Sequence, residues 1–262
     1  MYTQPQKKFR ARNEAEVLAE IKNAAAVGPR FEKVFLADGD AFVLPTRRLE
    51  TILQQIRESL PWVKRVGAYC LPRNIRKKSA DDLRRLKELG LGIAYVGAES
   101  GDDDVLTAIS KGETYDSTLN ALNKLKEAGI ASSVMVLNGM GGRSLSTQHA
   151  INTARLMNEA QPEFLSTLVV SYPLGQERVV QGFTEAGFDY ELPDQHELFV
   201  ELRTFIDTLD LRDTVFRSDH ASNYLPLKGT LGADKQALLS QLDTAINRPD
   251  SIRLRQEWQR GL

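Results

Sequence analysis

Cysteine is almost missing from this chain: Cys70 is the only one in 262 residues. A lone cysteine excludes an internal disulfide framework and any metal site built on several cysteines of this sequence. Histidine is nearly as scarce, with three residues. Two of them, His149 and His196, fall in or beside helical patterns, where a surface position is the ordinary expectation. Neither sign of charge is in excess. The 34 Lys and Arg against 35 Asp and Glu leave a net charge of −1, which favours neither nucleic acid nor an anionic membrane. Long apolar runs are also absent, so no segment reads as a membrane-spanning helix. Met1 to Arg12 is polar and basic without an apolar centre, unlike a signal peptide, and the cytoplasm is the expected compartment. No internal repeat or low-complexity tract stands out.

What the sequence does hold is an alternation of short apolar runs with amphipathic stretches. The runs are Val34–Ala37, Val66–Tyr69, Gly92–Gly97, Ser133–Leu137 and Leu165–Val170. Continuous apolar strands suit a parallel sheet buried on both faces. Between them the spacing predicts helices over 14–26, 46–60 with Thr46 as N-cap, 79–90 with Ser79 as N-cap, 115–128 and 146–160. A serine or threonine accepts from free N–H groups at a helix start, and glycine tolerates positive φ at its end. Five such alternations imply right-handed crossovers and a parallel barrel or a doubly wound sheet. Active-site groups in both gather at the C-terminal ends of strands. That rule selects Asp38, Asp40, Arg73, Glu99, Ser100, Asn138 and Tyr172. Beyond 175 the pattern changes: 195–209 and 234–246 read as helices, and 213–231 as an irregular segment. The chain is therefore expected to comprise a barrel portion, 1–175, and a mostly helical C-terminal extension, 176–262.

Each candidate has both a chemical and a plain reading. Asp38-Gly39-Asp40 follows a strand, where glycine admits a ligand against the backbone and a carboxylate accepts from an ammonium; it also makes an ordinary polar turn. Glu99 could accept from vicinal hydroxyls, as acidic residues after strands do for ribose, while Ser100 could simply cap the helix beginning near Asp102. Asn138-Gly139-Met140-Gly141-Gly142-Arg143-Ser144 matches neither the dinucleotide loop nor the P-loop, and reads as a glycine-bearing strand-end turn. Arg217, His220, Asn223 and Tyr224 make a polar-rich segment fit for a binding loop, or for a loop packed on itself. Cys70 is expected to be a small buried hydrophobe.

Taken in order, these pieces resemble the radical S-adenosylmethionine (radical SAM) superfamily over about Met1 to Gly175. Asp38-Gly39-Asp40-Ala41 stands where that family carries Gly-Gly-Glu-Pro, which receives the methionine ammonium. The proline is replaced here, and the acid is Asp40. Val96-Gly97-Ala98-Glu99-Ser100-Gly101, with Lys111-Gly112 beyond, is similar to the family's fourth-strand segment, whose polar end binds the ribose. The resemblance thus implies that role for Glu99 and Ser100. Val136-Leu137-Asn138-Gly139-Met140-Gly141 resembles the glycine-bearing motif beside the adenosine, and Ser171-Tyr172-Pro173-Leu174-Gly175 the segment contacting adenine. The implied fold is an incomplete parallel (β/α) barrel of the radical SAM type with a helical C-terminal extension.

The implied cofactors are S-adenosylmethionine and a four-iron four-sulfur cluster, and the implied reaction is reductive cleavage of S-adenosylmethionine to a 5′-deoxyadenosyl radical. A flavodoxin- or ferredoxin-like protein would supply the electron, and the substrate, small molecule or peptide, is not specified. One departure is large. The family's CxxxCxxC loop is not in this sequence, and Met1 to Arg12 resembles the stretch that follows such a loop. The chain is therefore expected to start just after the cluster cysteines and to be inactive alone. A cluster-free barrel acting as a binding or scaffold protein is the alternative; a barrel lyase using its carboxylates as acid and base is a third.

Overall fold

The computed structural model describes residues 10–37 and 39–260. Met1–Arg12 therefore lies mostly outside the described residues, and Asp38 wholly so. Two compact units make up the chain. The first lies within Met1–Tyr95 and Lys124–Ala131. It opens with α1 (Glu14–Ala26), whose first turn is capped by the Asn13 side chain accepting from Ala15 N, and continues through β1 (Lys33–Leu36), a 3-10 turn at Ala41–Val43 and α2 (Thr46–Ser59). Leu49, Ile52, Leu53 and Ile56 of α2 are buried, the spacing of a single helical stripe. Thr46 begins this helix instead of capping it: Pro45 holds the cap position, and its carbonyl accepts from Arg48 N and Leu49 N. Then come β2 (Arg65–Cys70), the short α3 (Pro72–Arg76) and α4 (Ala80–Glu88). Ser79 caps α4 as expected, in a reciprocal box with Asp82. β1 and β2 run parallel with Phe35 opposite Gly67. A side chain on Gly67 would meet Ile93 and Phe35 at 3.1 and 3.2 Å, so the strand needs glycine there for close packing.

The strand β3 (Leu91–Glu99) leads to α5 (Asp103–Ala108) and α6 (Tyr115–Glu127), then β4 (Ala131–Asn138), α7 (Gly142–Ala160), β5 (Phe164–Val169), α8 (Glu177–Glu185) and α9 (Gln195–Thr208). The segment 213–231, expected to be irregular, instead carries β6 (Thr214–Ser218) and β7 (Leu227–Leu231), followed by α10 (Lys235–Asn247). β4 pairs parallel with β5, and β5 with β6; β6 and β7 are antiparallel. The seven strands follow one another in the sheet in chain order, which gives the α/β, parallel-stranded class expected from the alternating runs. In the second unit α9 packs on α7 and α10. An apolar cluster of Val105, Met140, Leu145, Val170, Phe183 and Tyr190 fills the space beyond the ends of β4 and β5. No described helix is long and apolar enough to cross a membrane.

Candidate functional site

In the first unit the acid expected after β1 is already occupied by backbone. Asp40 Oδ1 accepts from Phe42 N at 2.9 Å, while Oδ2 accepts from Leu71 N at 2.9 Å and Asn74 Nδ2 at 2.7 Å. The carboxylate thus ties the 3-10 turn at Ala41–Val43 to the start of α3, a partnership that no sequence signal announced. Gly39 before it has φ +112°, a conformation that glycine tolerates best. Cys70 is buried, and burial, aided by the negative charge of Asp40, pushes its thiol well above the ordinary range. Its Sγ donates to Tyr95 O at 3.5 Å. This is the apolar cysteine expected from the sequence.

In the second unit Glu99, the last residue of β3, has φ +64°. A non-glycine side chain there costs about 1–2 kcal/mol, and such strain persists where the surroundings hold it. The holding group is Lys111, whose Nζ lies 2.8 Å from Glu99 Oε1 with both side chains largely shielded. The carboxylate folds back over Gly97, where a Cβ would lie 2.8 Å from the same oxygen. Gly97 leaves room for the neighbouring carboxylate. Ser100 does not cap α5; Asp102 does, accepting from Val105 N, while Ser100 Oγ accepts from Asp102 N.

The end of β4 is held from below and behind. Asn138 Nδ2 donates to Leu198 O at 3.1 Å, and Gly139 N donates to Glu201 Oε1 at 2.5 Å. Glycine at 139 has φ +87°, and a Cβ would strike Leu198 at 2.7 Å; at 141 it would meet His149 at 2.9 Å, and at 142 Tyr190 at 2.9 Å. All three glycines are thus demanded by packing within the protein. His149, expected at the surface, is buried and bonded to Ser100 Oγ at 2.8 Å and Leu137 O at 3.0 Å. Glu201 is also buried, and burial raises its carboxyl above the usual range, opposed by His149, Ser146 Oγ and Gly139 N.

After β5, Ser171 is exposed and Tyr172 turns onto the apolar cluster. The Tyr172 and Tyr190 hydroxyls are 2.7 Å apart, and Tyr190 donates to Gly139 O at 3.4 Å. The polar segment after β6 lies beyond the end of β5. Asn223 accepts from Val169 N at 3.0 Å and donates to Thr167 O at 2.9 Å, replacing a neighbouring strand there. Tyr224 donates to Glu257 and lies under the Arg260 guanidinium, 3.8 Å from the ring centre. Arg255 donates to the carbonyls of His220 and Asn223, and Arg260 to that of Ser222. These bonds account for Asn223 and Tyr224 without a ligand. Arg217 and His220 remain exposed, with Arg217 Nη1 on Phe216 O and His220 Nδ1 on Ser222.

A strained carboxylate at the end of β3 and a glycine turn after β4 both sit at strand ends of an α/β fold. The model of the radical SAM superfamily matches residues 2–157, and the chain belongs to that superfamily. Among curated proteins the heme chaperone HemW of Bacillus subtilis (strain 168) is 25% identical over 153 residues, which cover 57% of this chain and 40% of HemW. The chain therefore spans less than half the length of this relative. Among solved structures, coproporphyrinogen III oxidase (HemN) from Escherichia coli, described as a radical SAM enzyme, aligns with a TM-score of 0.55 at 14% identity, over 76% of this chain and 47% of that one. The archaeal Elp3 of Methanocaldococcus infernus aligns with a TM-score of 0.56 at 14% identity, over 92% and 60%. These likenesses establish the fold.

The family implies an iron–sulfur cluster, and the residues present do not fit one. The only cysteine is buried with its sulfur on a backbone carbonyl. Among the described residues, no three His, Cys, Asp or Glu side chains are grouped to hold a metal.

Proposed function

We propose that this chain is the nucleotide-binding part of a radical SAM protein, and that it takes the adenosyl portion of S-adenosylmethionine. The observation that carries the reading is Glu99: a carboxylate held at positive φ by Lys111 at the end of β3, within the matched segment. Strain of this kind gathers at ligand clamps. In this reading Glu99 accepts from the ribose hydroxyls with Ser100 beside it. Asn138, Gly139 and Gly141 form the adenosine wall, with Ser171 and Tyr172 next to the adenine. By the family resemblance the role of receiving the methionine ammonium would fall to Asp38, Gly39 and Asp40 of the first unit. Asp40 would do so while keeping its backbone partners, since a carboxylate has about four acceptor sites. Arg217 and His220 are the groups proposed to meet a substrate. S-adenosylmethionine, where a reduced cluster acts on it, supplies a 5′-deoxyadenosyl radical. The cluster ligands and a flavodoxin- or ferredoxin-like donor would be contributed by other residues or proteins. A ligand-detected NMR titration of the chain with S-adenosylhomocysteine tests the reading. Binding is expected, and Glu99→Ala should weaken it by about 1–3 kcal/mol. Equal affinity in that variant removes Glu99 from the ribose role.

The single buried cysteine favours a second reading, a cluster-free barrel that binds without radical chemistry. One relative, matched over 57% of this chain, is described as a heme chaperone. Nucleotide binding is absent from this second reading, so the same titration separates the two.

A further inference from the structure

Glu201 sits three residues after Leu198 on the buried face of α9, among Leu198, Leu202 and Phe205. A carboxylate at a core position is costly unless its acceptors are used, and a hydrophobe of similar size often serves stability as well. Both of its oxygens are used: Oε1 by Gly139 N at 2.5 Å and Oε2 by Ser146 Oγ at 2.6 Å. Gly139 lies one residue past β4, so its N–H has left the strand, and a buried N–H needs an acceptor. The third neighbour is His149, whose Nε2 is 3.7 Å from Glu201 Oε1. Leu137 O can only accept, so Nε2 carries the proton toward it. Nδ1 shares a hydrogen bond with Ser100 Oγ, which also accepts from Asp102 N. One buried chain of contacts therefore runs from α9 through α7 to the residues beside Glu99 and to the turn after β4.

We infer that Glu201 and His149 are positioning residues, fixing the Gly139 peptide and the Ser100 hydroxyl at the two strand ends where nucleotide binds. This inference rests on the nucleotide-binding reading above and adds that α9, outside the segment matched to the family, governs that site.

The test is the Kd for S-adenosylhomocysteine, measured on the 262-residue chain well below its melting temperature. Glu201→Ala should raise Kd about tenfold, since it leaves the Gly139 N–H without its acceptor. Glu201→Gln keeps an oxygen for Gly139 N and an N–H for Ser146 Oγ, and should restore Kd to within about threefold of wild type. Leu202→Ala, a neighbouring core truncation on α9, should lower the melting temperature without moving Kd. If Glu201→Ala does not fold, Glu201→Asp, with its shorter arm, should raise Kd at least about threefold. Wild-type affinity in Glu201→Ala or Glu201→Asp overturns the inference, as does an equal loss of affinity in Leu202→Ala. A wild-type chain that binds no S-adenosylhomocysteine overturns the nucleotide reading itself, a result distinct from any change among variants.

Discussion

The hydroxyls of Tyr172 and Tyr190 meet at 2.7 Å over the apolar cluster beyond β4 and β5. Burial pushes Tyr172 up to about 12 from an ordinary 10.0, and raises Tyr190 further in the same direction. Folding thus favours the neutral phenols. The stability they contribute is complete below about pH 10 and is lost as pH climbs through the folded value of about 12. Urea unfolding across that range should show a decline, and Tyr172→Phe should flatten it. An identical pH profile in the variant would contradict the assignment.

Backbone strain at Glu99 can be read without any ligand. Glycine adopts φ +64° freely and alanine does not. Both Glu99→Gly and Glu99→Ala lose the bond to Lys111, so their difference isolates the backbone term. Glu99→Gly is expected to be the more stable by about 1 kcal/mol in chemical denaturation. Equal stability would mean that the residue does not hold this conformation in solution.

Asp40 has a scaffolding role whatever it does for a ligand. Asp40→Ala strands Phe42 N, Leu71 N and the Asn74 amide. The expected loss is about 1–3 kcal/mol, the penalty for unpaired buried groups. Hydrogen exchange should quicken at Phe42 and Leu71 in particular. Uniform exchange across the unit would argue against a local role.

The thiol of Cys70 should be inert. Burial holds it protonated above the ordinary 9.0 and shields it from reagents. An aromatic disulfide reagent should modify it only after denaturant is added. Rapid labelling of the folded chain would show that the sulfur is accessible.

The five apolar runs fell within a residue or two of β1 to β5, because each is a continuous hydrophobic segment that only a twice-covered strand explains. β6 and β7 escaped notice for the opposite reason. Thr214–Ser218 and Leu227–Leu231 mix arginine, lysine, threonine and glycine with few apolar residues, and their strand character comes from pairing, β6 with β5 and β7, and β7 with β6. α8 was missed as well, since only Val179 and Phe183 of its residues are buried. At the site, Glu99 was legible as an acid after a strand, whereas its partner Lys111 and its positive φ were not. His149 gave no signal of burial because its partners come from distant parts of the chain. Glu201 could have been found: it occupies an apolar register position, three after Leu198, in a helix whose polar residues otherwise face outward.

The arginine contacts at Asp219–Tyr224 bear on motion. Arg255 and Arg260 together engage the carbonyls of Asp219, His220, Ser222 and Asn223, and Arg255 N donates to Tyr224 O. Carbonyls gripped in this way cannot swing open one at a time. Any loosening that frees His220 must also unfasten the chain near residue 255, so the two stretches breathe as one latch. A protease cut between α10 and Arg255 would accordingly be felt at His220 first, well before the strands beneath it.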